Sequence, residues 1–372
     1  MNNETRKETQ VLPKDVRYVG ADDLTLPLFE NQYPVQPMGV SYNSYLILDE
    51  KIAVMDSVDA RAADEWLAKL AHELDGRSPD YLVISHMEPD HSGSILRLAE
   101  KYQEMKLVGN TKTFTMLRQF FGAKAPTDDR LLEVGEGETL PLGAHTLHFM
   151  LAPMVHWPEV MVAYEETEKL LFSADAFGRF GALSRTAGAP WAPQARRYYY
   201  NIVGKYGAQV QALLKKASAL EIKTVCPLHG PLLTGEALGE ALRLYDLWSR
   251  WQSESPDDIL LAHASIHGNT ARAAELLKQK LEAKGARVTL CDLTTTEVSY
   301  AVANAFYCGK LVLACSTYDG GLFPPMEEFL SHLQAKGFRD RSVGLMENGS
   351  WAPAAARLMR AKLEEMKDLR VC

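Results

Sequence analysis

Between Tyr81 and Gly93 the chain passes from an apolar run, Tyr81-Leu-Val-Ile84, directly into Ser85-His-Met-Glu-Pro-Asp-His-Ser-Gly93. A short apolar run of this kind predicts a buried strand. The stretch after it packs four potential metal ligands, His86, Glu88, Asp90 and His91, into six residues. Polar loops at strand ends are where sites are usually built, so the rest of the chain has to be arranged around this one. Pro89 keeps Glu88 out of helical conformation and Gly93 permits a sharp exit, which predicts an irregular loop with its side chains fanned outward. A solvated turn before a helix would explain one histidine and one acid, whereas His-x-Glu-x-Asp-His needs four coincidences at once.

Three further candidates also follow predicted strands. His156 lies in Ala152-Pro-Met-Val-His-Trp157 after the strand 146–151, and His229 lies in Cys226-Pro-Leu-His-Gly230 after 223–225. Asp175, in Phe172-Ser-Ala-Asp-Ala176, follows a hairpin of 160–164 with 169–173. Each alone is compatible with an ordinary turn residue. Together with the opening loop they make seven potential ligands, too many for one ion and suited to two that share a carboxylate. Imidazoles with three carboxylates and no thiolate suit iron or manganese in redox chemistry, although zinc accepts the same atoms. His72 and His332 fall in predicted helices and His145 and His148 in an alternating strand, and we read these as structural.

At 372 residues the chain exceeds a typical single domain. Its grammar changes at Ser253-Glu-Ser-Pro-Asp-Asp258, a short polar segment with a proline. We therefore expect a metal-binding domain over 1–252, a linker over 253–258 and a second domain over 259–372. In the first, strands and helices alternate in blocks, beginning with a hairpin of 41–48 and 52–55, which predicts sheets packed inside helical layers. In the second, buried strands at 259–263, 287–291, 310–315 and 342–346 alternate with helices at 269–283, 329–336 and 353–367, which predicts an open, doubly wound parallel sheet. The chain stops at Arg370-Val-Cys372, where a fifth strand would begin, so the last strand and closing helix of such a sheet are expected to be missing.

Three loops at the strand ends of the second domain attract attention. Ser265, Ile266, His267, Gly268, Asn269 and Thr270 join the first strand to the first helix, where hydroxyls, backbone amides and the helix start form a cradle for a phosphate. Capping of the helix alone would also explain the small polar residues. Ser316, Thr317, Tyr318, Asp319, Gly320 and Gly321 follow one later strand, and Glu347, Asn348, Gly349, Ser350 and Trp351 another. Tyr318 and Trp351 offer aromatic surface, and the glycines allow close backbone approach. No Gly-x-Gly-x-x-Gly is present, which favours a mononucleotide over a dinucleotide.

A net charge of −8 and the lack of a basic stripe argue against nucleic-acid binding. The polar start and the lack of a bilayer-length apolar run predict a cytoplasmic protein with no membrane role. Five cysteines without a Cys-x-x-Cys pair fit reduced thiols and leave no built-in iron–thiolate module, so electrons have to come from elsewhere.

These residues carry a resemblance. The loop at 86–91 resembles that of the metallo-β-lactamase superfamily, whose hydrolases carry His-x-His-x-Asp-His, with Glu88 where the second histidine would be. That replacement and the downstream phosphate-loop domain resemble the flavodiiron proteins, or A-type flavoproteins, from about Asn43 to the carboxyl end. The resemblance implies an αββα sandwich, a mixed α+β layer structure with a non-haem diiron site, fused to a flavodoxin-like α/β domain that binds FMN on its three loops. It gives His86, Glu88 and His156 to one iron, Asp90, His91 and His229 to the other, and makes Asp175 the bridge. It also implies reduction of O₂ to water, of NO to N₂O, or both, with electrons from rubredoxin or a related flavin reductase. A head-to-tail homodimer, or a dimer of such dimers, would set the FMN of one subunit against the irons of the other. Two other functions fit parts of the sequence: a zinc-dependent hydrolase of the superfamily, and a non-catalytic flavin electron carrier.

Overall fold

The computed structural model describes residues 12–372, which divide into two compact units. One holds the described residues up to Ala195 together with Ala208–Arg243; the other holds Arg196–Gly207 and Leu244–Cys372. Among the described residues no helix is long and apolar enough to cross a membrane.

The first unit contains two six-stranded sheets. One runs in the order Val16–Tyr18, Tyr45–Ile47, Ala53–Met55, Tyr81–Val83, Lys106–Gly109, Leu131–Glu133. The other runs Thr139–Pro141, Thr146–Leu151, Met161–Glu165, Leu170–Phe172, Thr224–Cys226, Leu233–Thr234. One hydrophobic cluster joins them: Ile47, Met55, Val83 and Val108 from the first sheet pack with Leu147, Phe149, Met161 and Phe172 from the second. Because strand side chains alternate between faces, Leu46, Val54, Leu82 and Leu107 point the other way, and they too are fully buried. Helix Ala63–Leu74 covers that outer face. It buries Ala63, Trp66, Leu70 and Leu74 at helical spacing, and the Trp66 indole donates to Ser44 Oγ at 3.0 Å. On the second sheet Val162, Leu171 and Val225 are buried behind the shared core as well, completing the helix–sheet–sheet–helix layering.

The second unit is a parallel sheet in the order Val288–Asp292, Ser255–Ala264, Cys308–Tyr318, Ser342–Asn348, Arg370–Val371. This is the doubly wound order in which the strand sequence reverses beside the first strand, the place where ligands collect in such sheets. Three differences from the sequence reading follow. The segment expected to be a linker is already strand from Ser255, where Ser255 pairs with Cys308 ahead of a register irregularity that the exposed Pro256-Asp257 pair accommodates. The fifth strand, expected to be missing, is present as Arg370–Val371 beside Ser342–Val343. A helix at Val298–Tyr307 was not anticipated; six of its ten residues are buried, so it has no amphipathic stripe to betray it.

Candidate metal centre

The ligand loop is less irregular than its sequence suggests. Pro89 does hold Glu88 extended, at φ −57° and ψ 141°, but as the first residue it then starts one helical turn, Pro89–Ser92. The consequence is a division of labour: Glu88 leaves before the turn and Asp90 and His91 project from within it. The loop is fixed at its start by Asp56, whose carboxylate accepts the Ser85 N–H at 2.7 Å, and inside the turn by Ser57, whose hydroxyl donates to the His91 carbonyl.

The structure brings all seven expected residues together in two groups, His86, Glu88, His156 and Asp175, and Asp90, His91 and His229. Asp175 spans them. Its Oδ2 lies 3.1 Å from His156 Nε2 and 3.6 Å from His86 Nε2, while its Oδ1 lies 3.3 Å from His91 Nε2 and 3.6 Å from His229 Nε2. Glu88 Oε2 approaches the same two rings of the first group, at 3.2 Å from His86 and 3.1 Å from His156. Asp90 Oδ2 does so in the second, 3.3 Å from His91 and 3.2 Å from His229.

The protons on these rings show what the arrangement can hold. His86 Nδ1–H donates to Glu159 Oε1 at 2.8 Å and His229 Nδ1–H donates to the Ser41 carbonyl at 2.6 Å, so each presents an Nε2 lone pair inward. His229 Nε2 and His91 Nε2 face each other at 3.0 Å, and the buried oxygens of Asp90 and Oδ1 of Asp175 accept no hydrogen bond. Lone pairs aimed at lone pairs in a largely buried site are stable only with cations among them, either protons or metal ions. Imidazole and carboxylate donors of this number fit two transition-metal ions sharing Asp175.

Without metal, the cations are protons. Burial opposes charge on His91 and His156, but Asp90 and Asp175 outweigh it at His91, pushing it up to about 10, and Asp175 and Glu88 do so at His156, pushing it up to about 9. Burial likewise opposes charge on Asp175, yet the close His156 and His91 rings hold its carboxyl well below the usual range. Metal uptake therefore displaces protons, and apparent affinity is expected to rise with pH up to about 9–10, which proton release on titrating metal into the metal-free chain measures. The same histidines have folded pKa values above their unfolded ones, so their contribution to metal-free stability is complete below about 6.5 and is lost as pH climbs through 9–10. Melting temperatures of the metal-free chain are expected to fall over that window, and those of the loaded chain are not.

Three contributors escaped the sequence reading. Glu159, three residues beyond His156, also accepts the Met87 N–H at 2.8 Å. Tyr42 packs edge-on against His229 and His91, and its hydroxyl accepts from Arg61 at 3.2 Å. Glu30 sits in a tight turn at φ 50°. Although Glu30 lies at the surface, its carboxyl is crowded beside Glu88, and burial there with the Glu88 charge pushes it up to about 7. Glu30, Tyr42 and Arg61 line, with Leu26, Leu28 and Phe29, a cavity of about 500 Å³ that reaches Glu88 and Asp90.

The sequence model of the family described as ODP family beta lactamase matches residues 40–230, more than half of the chain. Rubredoxin-oxygen oxidoreductase of Megalodesulfovibrio gigas is 28% identical over 358 residues, 94% of this chain and 87% of that one. The crystal structure of the flavodiiron protein from Giardia intestinalis aligns with a TM-score of 0.88 at 26% identity, covering 96% of this chain and 90% of that one. The chain belongs to the flavodiiron protein family. Nitric oxide reductase of Moorella thermoacetica, 27% identical over 361 residues, covers 95% of this flavodiiron chain and is itself covered to 88%.

The loops expected to hold a flavin lie at one edge of the parallel sheet, on both sides of the point where strand order reverses. Ser265, Ile266, His267 and Gly268 form the connection, and Asn269 and Thr270 open helix Asn269–Glu282. Gly268 stands at φ 83° with open space where a Cβ would be, and the buried Ser265 hydroxyl has no partner. Ser316, Thr317 and Tyr318 end their strand, Asp319 and Gly320 make a two-residue turn at φ 47° and 72°, and Gly321 begins the return. Glu347 and Asn348 end theirs, followed by Gly349, Ser350 and Trp351. Thr270 and Ser316 hydroxyls meet at 2.8 Å and Asn348 donates to Thr270 at 3.3 Å, so the three loops are knitted together. Trp351 is 83% exposed and Tyr318 44%, flat apolar surfaces left open beside a polar cradle with a free hydroxyl. That combination fits a mononucleotide carrying a large planar ring.

Proposed function

We propose that this chain is an oxidoreductase that reduces O₂ to water, NO to N₂O, or both, at a pair of irons supplied with electrons through FMN. The observation that carries the reading is the double reach of Asp175, one oxygen to each histidine group, with Glu88 where a superfamily hydrolase has histidine. His86, Glu88 and His156 would hold one iron, Asp90, His91 and His229 the other, with Asp175 between. Bound there, two ferrous ions and a two-electron flavin supply the four electrons that reduction of O₂ consumes.

The chain's own residues do the rest. Glu159 and the Ser41 carbonyl fix the tautomers of His86 and His229, so both rings keep their lone pairs aimed at the metal positions. Leu26, Leu28 and Phe29 give the cavity an apolar wall that suits a small uncharged gas. Ser265, Thr270 and Ser316 would take the phosphate, and Trp351 and Tyr318 would flank the ring.

We infer rubredoxin or a related flavin reductase as donor and a head-to-tail homodimer, or a dimer of such dimers, in the cytoplasm. The names of the relatives support the donor, and family resemblance supports the assembly. The test is anaerobic: load the protein with iron and FMN, reduce it with rubredoxin, and add each gas separately. Rapid reoxidation by at least one gas is expected. Two bound zincs, no iron and ester or lactone turnover would make it a hydrolase, and FMN uptake without gas consumption would make it a carrier.

A further inference from the structure

The two metal positions are alike in their direct donors. Each has two imidazoles, one carboxylate of its own and one oxygen of Asp175. They differ in what stands behind one imidazole of each pair. His229 Nδ1–H donates to a neutral backbone carbonyl, that of Ser41. His86 Nδ1–H donates to the Glu159 carboxylate, and both side chains are fully buried.

Glu159 is held with care. Its Oε1 accepts from both His86 and the Met87 backbone, its own carbonyl accepts the Asn110 amide at 2.6 Å, and its buried Oε2 has no partner. One oxygen of a buried carboxylate left without a protein hydrogen bond is weakly offset, so its charge is felt by whatever lies on the far side of the ring. The Trp157 ring meets His86 edge-on, with ring centres 5.2 Å apart, and helps keep water from the pair.

We propose that Glu159 makes the two irons inequivalent, fixing the higher charge on the iron bound by His86, Glu88 and His156. This rests on the diiron reading above. A carboxylate pulling on the far N–H of an imidazole makes that ring a stronger donor, and a stronger donor favours the more highly charged metal ion. When one electron leaves the reduced pair, to a redox mediator in the experiment below, it leaves from the iron nearest Glu159. Glu159 is a positioning and tuning residue and touches no substrate.

The test compares the iron-loaded full chain with Glu159→Gln, which keeps an oxygen to accept from His86 and Met87 and removes only the charge, and with Glu159→Asp, which keeps the charge. Each is titrated with mediators while the one-electron-oxidised state is followed by electron paramagnetic resonance. In the native chain two resolved steps and a strong intermediate signal are expected. In Glu159→Gln the steps close up and the peak signal falls at least twofold, while Glu159→Asp recovers it. Iron lost from Glu159→Gln but kept by Glu159→Asp also supports the proposal. Unchanged potentials and signal in Glu159→Gln overturn it, as does iron lost from both variants, which would make Glu159 a scaffold residue. A native chain that takes up no iron pair overturns the diiron reading itself, a result distinct from all of these.

Discussion

Asp175→Asn is expected to give a folded chain that retains at most one of its two metal ions, with turnover lowered by about 100-fold or more. Asp175 is 1% exposed, and each of its oxygens serves a different pair of imidazoles. An asparagine keeps one acceptor and turns an N–H₂ toward the other group, where lone pairs and a cation need an anion. In the metal-free state the substitution removes one partner from a buried ionic set, a cost of about 3–5 kcal/mol. That is within the 5–15 kcal/mol of a typical folded chain, so the loss is expected as a lower melting temperature rather than as misfolding. Metal analysis per chain together with circular dichroism decides it, and a variant that holds two irons would show that Asp175 does not bridge.

Glu88→His is expected to weaken iron binding and abolish gas reduction, and to move metal preference toward zinc. The substitution restores the hydrolase pattern at the position where this chain departs from it. It also removes a negative charge that lies 3.2 Å from His86 Nε2 and 3.1 Å from His156 Nε2. Iron needs that charge more than zinc does, because its working cycle passes through a more highly charged ion. Competitive loading with equal iron and zinc, followed by gas-consumption assays, reads both effects. Unchanged iron content and turnover would show that the position does not carry this weight.

How much of this was legible beforehand varies with the residue. The ligand loop was plain because four donors in six residues have few structural explanations. His156, Asp175 and His229 became visible only as a set, since each is an ordinary turn residue until another strand end is seen to need it. Glu159 was invisible for a different reason. An acid three residues past a histidine is common, and only the register that lays Met161 beside Ser85 turns it toward His86. Glu30 stands in the turn after a two-residue strand, Leu28–Phe29, and Tyr42 ends a three-residue one, both too short to show any period. The helical turn at Pro89–Ser92 is hidden in the sequence because proline acts both ways, keeping its predecessor out of a helix while readily beginning one itself. In the second unit the alternation of strand and helix was clear, whereas Val298–Tyr307 was lost because a helix buried on most sides has no stripe.

The seven side chains do not come from one sheet. His86, Glu88, Asp90 and His91 follow a strand of the first, while His156, Asp175 and His229 follow strands of the second. A metal pair there is a clasp that fastens the two halves of the sandwich at their open edge, closing long stretches of chain as a cross-link does. The chain without its ions keeps only protons in that clasp. Scarcity of iron would then act on the abundance of the protein as well as on its activity, because copies left unfastened open more often and are cleared sooner.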